Sequence, residues 1–185
     1  HDTFASMAGL GILNLYNNSF TGHLPTLVSP ALSMISLGHN RFTGPFLSSI
    51  EIYSSSLENL ILSDNCLDFS GANLTALCDC KSLMGVGISN MATACIPKPS
   101  WEWLTWSSTQ RSQSLPSCLW QMPALKVLSA SGNALQIQMP REEDLRAPLD
   151  TINIMSNRAY GPLPQNIMSL SADVSQLQLS RNRIN

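Results

Sequence analysis

Residues 10–25 read LGILNLYNNSFTGHLP, and the first nine of them carry the pattern that decides the fold. Apolar residues stand at Leu10, Leu13 and Leu15, and an asparagine follows at Asn18. The same offsets recur along the chain, so that an asparagine stands at positions 18, 40, 65, 133, 157 and 182. Repeats of about 20–50 residues are typical of solenoids, in which each repeat forms one coil.

A seventh copy of the pattern is degenerate. Leu83, Val86 and Ile88 keep the offsets, but Met91 stands where the asparagine is expected and Asn90 comes one residue early. We interpret this segment as a genuine coil with a local shift in register. It lies in the gap of 68 residues between the third and fourth asparagines, which still leaves about 20 residues for an insertion.

The spacing within each copy predicts a short strand. Leu13 and Leu15 are separated by one residue, and side chains alternate along a strand, so both point to the same side. One such strand cannot bury that side alone, but stacked coils form a parallel sheet over a continuous core. The asparagine that follows is expected to be buried, where its amide satisfies backbone groups of the turn.

Beyond the asparagine, several copies continue alike, as in Phe20, Gly22, Leu24 and Pro25. The full pattern, LxxLxLxxNxFxGxLP, closely resembles that of the plant-type extracellular leucine-rich repeat family, over about residues 10–96 and 115–185. The resemblance implies an α/β-type solenoid, a right-handed coil of about seven turns with a short parallel sheet on its concave face. It also implies a receptor-like or inhibitor-like ectodomain, located outside the cell or at its surface.

Residues 97–114 break the pattern and form the predicted insertion, which carries Trp101, Trp103 and Trp106. The tryptophans either pack against the solenoid or form a partner-binding loop, since insertions in repeat proteins often line the binding face and tryptophan is a frequent hot spot.

Cysteines and glycosylation sequons indicate an oxidising compartment. Cys78 or Cys80 is expected to bond to Cys95 or Cys118 and to clamp the irregular coil. A metal site is the weaker alternative, because the Cys78–Cys80 spacing is not of the CxxC type and the histidines lie in other coils. The sequons, which make the chain a candidate glycoprotein, are at Asn17 and Asn73.

Charge excludes some classes of partner. Only 12% of residues are charged and the net charge is −2, which argues against nucleic acid and against an anionic membrane. No apolar run is long enough for a membrane span.

We interpret residues 1–185 as a single domain of a longer array, because the terminal coils lack polar caps and would need further repeats or partner subunits at both ends.

No catalytic motif, cofactor site or metal site is indicated, so we do not expect an enzyme. The favoured function is an extracellular recognition module that binds a protein, peptide or glycan; the alternative is a structural or assembly subunit of a surface or cell-wall complex. The candidate ligand-binding residues are the variable strand positions of the concave face and residues beside them, namely Asn14, Tyr16, Ser36, His39, Ile61, Asp64, Ser129, Asn153, Met155 and Gln178.

Overall fold

The computed structural model describes residues 4, 6–27, 29–45, 55–68, 74–91, 113–168 and 174–185. Its main feature is a parallel sheet of seven strands, each three residues long, with one strand contributed by each predicted coil. The strands lie in the order β1 (Ile12–Asn14), β3 (Met34–Ser36), β5 (Asn59–Ile61), β7 (Gly85–Gly87), β8 (Val127–Ser129), β10 (Thr151–Asn153) and β12 (Gln176–Gln178).

The middle residue of every strand faces the core. These residues are direct partners across the whole sheet, from Leu13 through Ile35, Leu60, Val86, Leu128 and Ile152 to Leu177. Five of them are at most 2% exposed, Leu13 is 5% exposed, and Leu177 is partly buried. The predicted parallel sheet over a continuous core is therefore confirmed.

The repeated asparagines join neighbouring coils. Asn65 is fully buried, and its amide Nδ2 donates to the carbonyls of Leu62 in its own coil and Leu37 in the preceding one, at 2.9 and 3.0 Å. Its Oδ1 accepts the backbone N–H of Phe42 at 3.0 Å. Asn40, Asn133, Asn157 and Asn182 make the equivalent bonds at their own positions. These five asparagines thus form a ladder, in agreement with the sequence prediction, whereas the predicted burial is wrong for Asn18, which is exposed and donates only to carbonyls of its own coil.

The degenerate coil keeps its strand in register. Val86 pairs with Leu60 on one side and Leu128 on the other, and the carbonyl of Ile88 accepts the amide of Asn133 as in the other coils. The predicted shift in register begins only at Met91. This side chain is completely buried, and the backbone N–H of Met91 donates to Oδ1 of Asn133. Met91 therefore replaces one rung of the ladder with an apolar side chain.

Two smaller parallel sheets follow the ladder. One contains β2 (Thr21–Gly22), β4 (Arg41–Pro45) and β6 (Cys66–Asp68), and the other β9 (Gln136–Gln138), β11 (Arg158–Gly161) and β13 (Arg183–Ile184).

Among the described residues the helical part of the predicted α/β coil consists of short 3₁₀ helices, at Leu74–Asp79, Ser117–Gln121, Glu142–Asp144 and Gln165–Met168. Within these segments no helix has the length and apolarity that a membrane span needs.

Candidate functional site

The face of the seven-stranded sheet that points away from the core is called the open face below, and it corresponds to the predicted concave face. The last residue of each strand forms a row across it, because the strands are in register: Asn14, Ser36, Ile61, Gly87, Ser129, Asn153 and Gln178. Six of the ten predicted binding residues therefore lie side by side. Tyr16 and Met155 extend the face two positions beyond their strands, where alternation places them on the same side.

A second row of the open face was missed by the sequence prediction. It is formed by the first residue of each strand: Ile12, Met34, Asn59, Gly85, Val127, Thr151 and Gln176. Ile12 and Val127 are 60% and 38% exposed, so this row adds apolar surface. The signal was present in the sequence, since these residues immediately precede the inward-facing residue and must point outward.

Ser36 is not available to a ligand as predicted. It is only 3% exposed, because its small side chain lies between Asn14 and Ile61 on the two neighbouring strands. Asn14 and Gln178 are exposed, and Ile61, Ser129, Asn153 and Met155 are half-buried. We therefore remove Ser36 from the candidate site on grounds of burial.

The turn at the end of each strand places one residue in the left-handed region. These residues immediately precede the ladder position, and their φ angles are 53–58° except at the glycine: Asn17, His39, Asp64, Asn90, Gly132, Ser156 and Arg181. Asparagine, aspartate and histidine tolerate this conformation better than most residues. The fold therefore holds this row of side chains in a fixed position at the border of the open face.

Four side chains at this border contact one another across successive coils. The ring of Tyr16 meets that of His39 edge to face at 5.0 Å. His39 Nε2 lies 3.2 Å from Oδ2 of Asp64, and Nδ2 of Asn90 donates to the other carboxylate oxygen at 3.0 Å. Tyr16 also covers Gly38, where a Cβ atom would come within 3.4 Å of its ring. The predicted residues Tyr16, His39 and Asp64 are thus brought together, and Asn90 joins them.

Two asparagines of the open face are oriented by their own turns. Oδ1 of Asn14 accepts the backbone N–H of Tyr16 at 3.1 Å, and Oδ1 of Asn153 accepts that of Met155 at 3.4 Å. Such local bonds fix the carboxamide. The amide Nδ2 is then the donor that each side chain can offer to a ligand.

Comparison with known proteins agrees with this architecture. A family model described as leucine rich repeat matches residues 9–30, and no curated protein has a significantly similar sequence. The ectodomain of the Arabidopsis thaliana membrane receptor kinase GASSHO1/SCHENGEN3, solved with Casparian strip integrity factor 2, is 26% identical with a TM-score of 0.71. That alignment covers 96% of this chain and 19% of the ectodomain. The chain folds as a leucine-rich-repeat solenoid and is similar to this plant receptor ectodomain.

Two further plant receptors share the fold of this leucine-rich-repeat solenoid. The plant peptide hormone receptor RGFR1, solved with RGF2, is 18% identical with a TM-score of 0.66, over 96% of this chain and 29% of that one. The Arabidopsis HAESA ectodomain, solved with an extended IDA peptide hormone, is 21% identical with a TM-score of 0.59, over 92% and 30%. The chain thus spans 19–30% of the length of these three structures.

One disulfide closes the leucine-rich-repeat solenoid at its irregular coil. Cys78 is bonded to Cys118, with 5.9 Å between their Cα atoms, and joins two 3₁₀ helices that lie 40 residues apart in sequence. Cys80, the other candidate partner, is instead a free thiol, because its side chain is 1% exposed and belongs to the core. Burial raises the pKa of this thiol to about 11. Cys66, which the sequence prediction did not include, is also disulfide-bonded.

The remaining predicted sites fall partly outside the described residues. Asn17 is exposed, and so is Ser19, the third residue of its sequon. Trp101, Trp103, Trp106, Asn73 and Cys95 lie outside the segments that the structure describes, as do residues 97–112 of the insertion. In the described segments no three His, Cys, Asp or Glu side chains come together as metal ligands.

Proposed function

We propose that the open face binds an extended peptide and that the chain acts as an extracellular recognition module. The observation that carries this proposal is the in-register row of exposed and half-exposed side chains across seven strands. Six gaps of about 4.8 Å give a face about 29 Å long, whereas three-residue strands make it only about 10 Å wide. A peptide therefore lies along the solenoid axis, and about nine extended residues fill the face.

The open face offers both apolar and polar contacts. The first coils offer apolar contact through Ile12 and Tyr16, which are 60% and 48% exposed, and through the half-buried Ile61. Removing one such side chain from water contributes about 1–2 kcal/mol. Later coils offer the carboxamides of Asn153 and Gln178, which hydrogen-bond to peptide groups. The expected ligand therefore carries both apolar and polar residues.

The comparisons support a receptor-like setting. RGFR1 is a peptide hormone receptor, and HAESA was solved with a peptide hormone. The ectodomain of GASSHO1/SCHENGEN3 belongs to a membrane receptor kinase. The disulfide between Cys78 and Cys118 and the exposed sequon at Asn17 are features of secreted proteins and support an extracellular location.

The test uses a phage-displayed library of random nonapeptides as its probe. Peptides selected on the wild-type chain are titrated against Tyr16→Ala and Asn153→Ala, with Gln121→Ala, an exposed residue of a 3₁₀ helix, as the matched control. We expect affinity to fall about ten-fold for Tyr16→Ala, which corresponds to about 1.4 kcal/mol, and to remain unchanged for Gln121→Ala.

Two outcomes would contradict the proposal. One is equal affinity for all four proteins. The other is binding that survives both open-face substitutions and is lost when Trp101 or Trp103 is changed to alanine, which would move the site to the insertion.

A further inference from the structure

A groove lined by two of the 3₁₀ helices is separate from the open face. It has a volume of about 470 Å³, within the range of about 300–1,000 Å³ that is usual for small-ligand sites. Its lining comes from the helices Ser117–Gln121 and Glu142–Asp144, from the end of β9 and from the residues directly after β9. The seven-stranded sheet contributes no residue to this lining, so a ligand here does not compete with one on the open face.

The groove contains one nearly buried donor, the indole N–H of Trp120. Trp120 is only 1% exposed, and its Nε1–H donates no hydrogen bond to any group in the described segments of the chain. Nε1 is nevertheless not sealed from solvent, so the small accessible part of Trp120 includes this N–H and faces the groove that Trp120 lines. Polar groups at such depth are nearly always hydrogen-bonded, so an acceptor in the groove, either water or a ligand atom, completes this donor.

The walls of the groove present further donors and acceptors in fixed positions. One carboxylate oxygen of Asp144 accepts Nε–H of Arg141 at 2.8 Å, and the other accepts Nε2 of Gln121 at 3.5 Å. Gln121, Gln138 and Ser117 are exposed, and each of their side chains can both donate and accept. Donors and acceptors therefore alternate around the groove, with the indole N–H at its base.

Charge within the groove is balanced. Its lining holds one guanidinium, that of Arg141, and one carboxylate, that of Asp144, and the two are paired. Arg141 also lies 3.0 Å from a carboxylate oxygen of Glu143, outside the lining. An anion would therefore meet a guanidinium that two carboxylates already neutralise, and a cation would meet a carboxylate that is already paired. The balance favours an uncharged ligand.

We propose that this groove binds a neutral sugar unit of a glycan. A hydroxyl group donates and accepts at the same atom, so adjacent ring hydroxyls match the alternating donors and acceptors of the walls. A hydroxyl oxygen also reproduces the hydrogen bond that water makes to the indole N–H, which is the condition for displacing ordered water without loss of affinity.

The shape of the groove favours a sugar ring over an extended peptide. A sphere of its volume is about 10 Å across, which is only about three residues of an extended chain. Successive residues of such a chain turn their N–H and C=O groups to opposite sides, so few of them would face any one wall. A compact ring with hydroxyls around its edge reaches both walls and the base together.

The test titrates the ¹⁵N-labelled wild-type chain with cellotetraose, mannotetraose or xylotetraose, each separately at millimolar concentration. The indole N–H signal of Trp120 is identified by its absence from the spectrum of Trp120→Phe. We expect at least one of the three sugars to shift this signal to saturation, because its hydroxyl replaces water as the acceptor. The backbone amide signals of Gln121 and Gln138 should follow the same curve, and Tyr16→Ala should bind the sugar like the wild type.

Gln138→Ala is the variant that tests the walls, and Gln136→Ala is its matched control. Both glutamines are exposed on β9, but only Gln138 lines this groove. We expect sugar binding to be about five-fold weaker in Gln138→Ala, as for the loss of one hydrogen bond, and unchanged in Gln136→Ala. Gln121→Ala provides a second wall variant with the same expected loss.

Four results would overturn the proposal. One is no saturating shift of the Trp120 indole signal with any of the three sugars. The second is an equal shift with acetyl-Gly-Ser-Gly-amide, which would assign the groove to a peptide. The third is an equal shift with glycerol at the same concentration of hydroxyl groups, which would leave no recognition of a ring. The fourth is an equal loss of sugar binding in Gln136→Ala and Gln138→Ala.

Discussion

Replacing Asn65 by leucine should remove one rung of the asparagine ladder while keeping a side chain of similar size. Three short hydrogen bonds are lost, to Leu62, Leu37 and Phe42, together with a longer one of 3.5 Å to the carbonyl of Ser63, and Asn65 itself is fully buried. At about 1 kcal/mol for each short bond, the free energy of unfolding should fall by about 3 kcal/mol. Since Met91 already occupies the equivalent position in another coil, we expect the variant to fold.

Asn18→Leu is the matched control. Asn18 is exposed and donates only to the carbonyls of Leu15 and Tyr16 in its own coil, so the expected loss is below about 1 kcal/mol. The assay is urea unfolding of the oxidised protein followed by far-ultraviolet circular dichroism. Equal losses in the two variants, or no loss in Asn65→Leu, would refute the assignment of stability to bonds between coils.

Further predictions concern single features of the fold. Replacing Cys78 and Cys118 together by serine should lower the free energy of unfolding by about 4 kcal/mol, as expected for a crosslink over 40 residues, and an unchanged urea midpoint would contradict this. Because the pKa of Cys80 is raised from 9.0 to about 11, the stability that this buried thiol contributes should be intact below pH 9.0 and be lost as the pH rises to about 11. The urea midpoint measured against pH should show that loss, and the loss should be absent in Cys80→Ala. Ser156→Gly should increase stability by up to about 1 kcal/mol, because Ser156 has a φ of 55° where another coil has Gly132; a lower thermal midpoint would count against the strain argument. After secretion from a eukaryotic cell, Asn17 should carry a glycan, seen as a mass shift that Asn17→Gln abolishes and a glycosidase reverses; secreted protein of unmodified mass would contradict its use.

The sheet and the ladder could be predicted because their determinants are local and repeated. Each coil specifies its own strand by the alternation of apolar and variable residues, and the ladder asparagines after Asn18 bond to backbone groups of the preceding coil. Even the degenerate coil follows, since Val86 occupies the inward position that Leu60 and Leu128 occupy beside it.

Contacts between different coils could not be predicted in the same way. Ser36 stands at a variable position, but its burial depends on the sizes of Asn14 and Ile61 in the neighbouring coils. The choice between Cys78 and Cys80 as disulfide partner depends on which side chain points into the core, and the irregular spacing around the 3₁₀ helix does not reveal this.

The central claim is that a peptide lies along the open face, across successive coils. A nonapeptide selected on the wild-type chain and carrying a nitroxide at one end tests this by paramagnetic broadening of backbone amide signals. We predict broadening that is strong near Tyr16 and weak near Gln178, or the reverse, with the gradient inverted when the nitroxide is moved to the other end. Broadening that stays the same for both label positions, or that is centred on residues 97–114, would contradict the account.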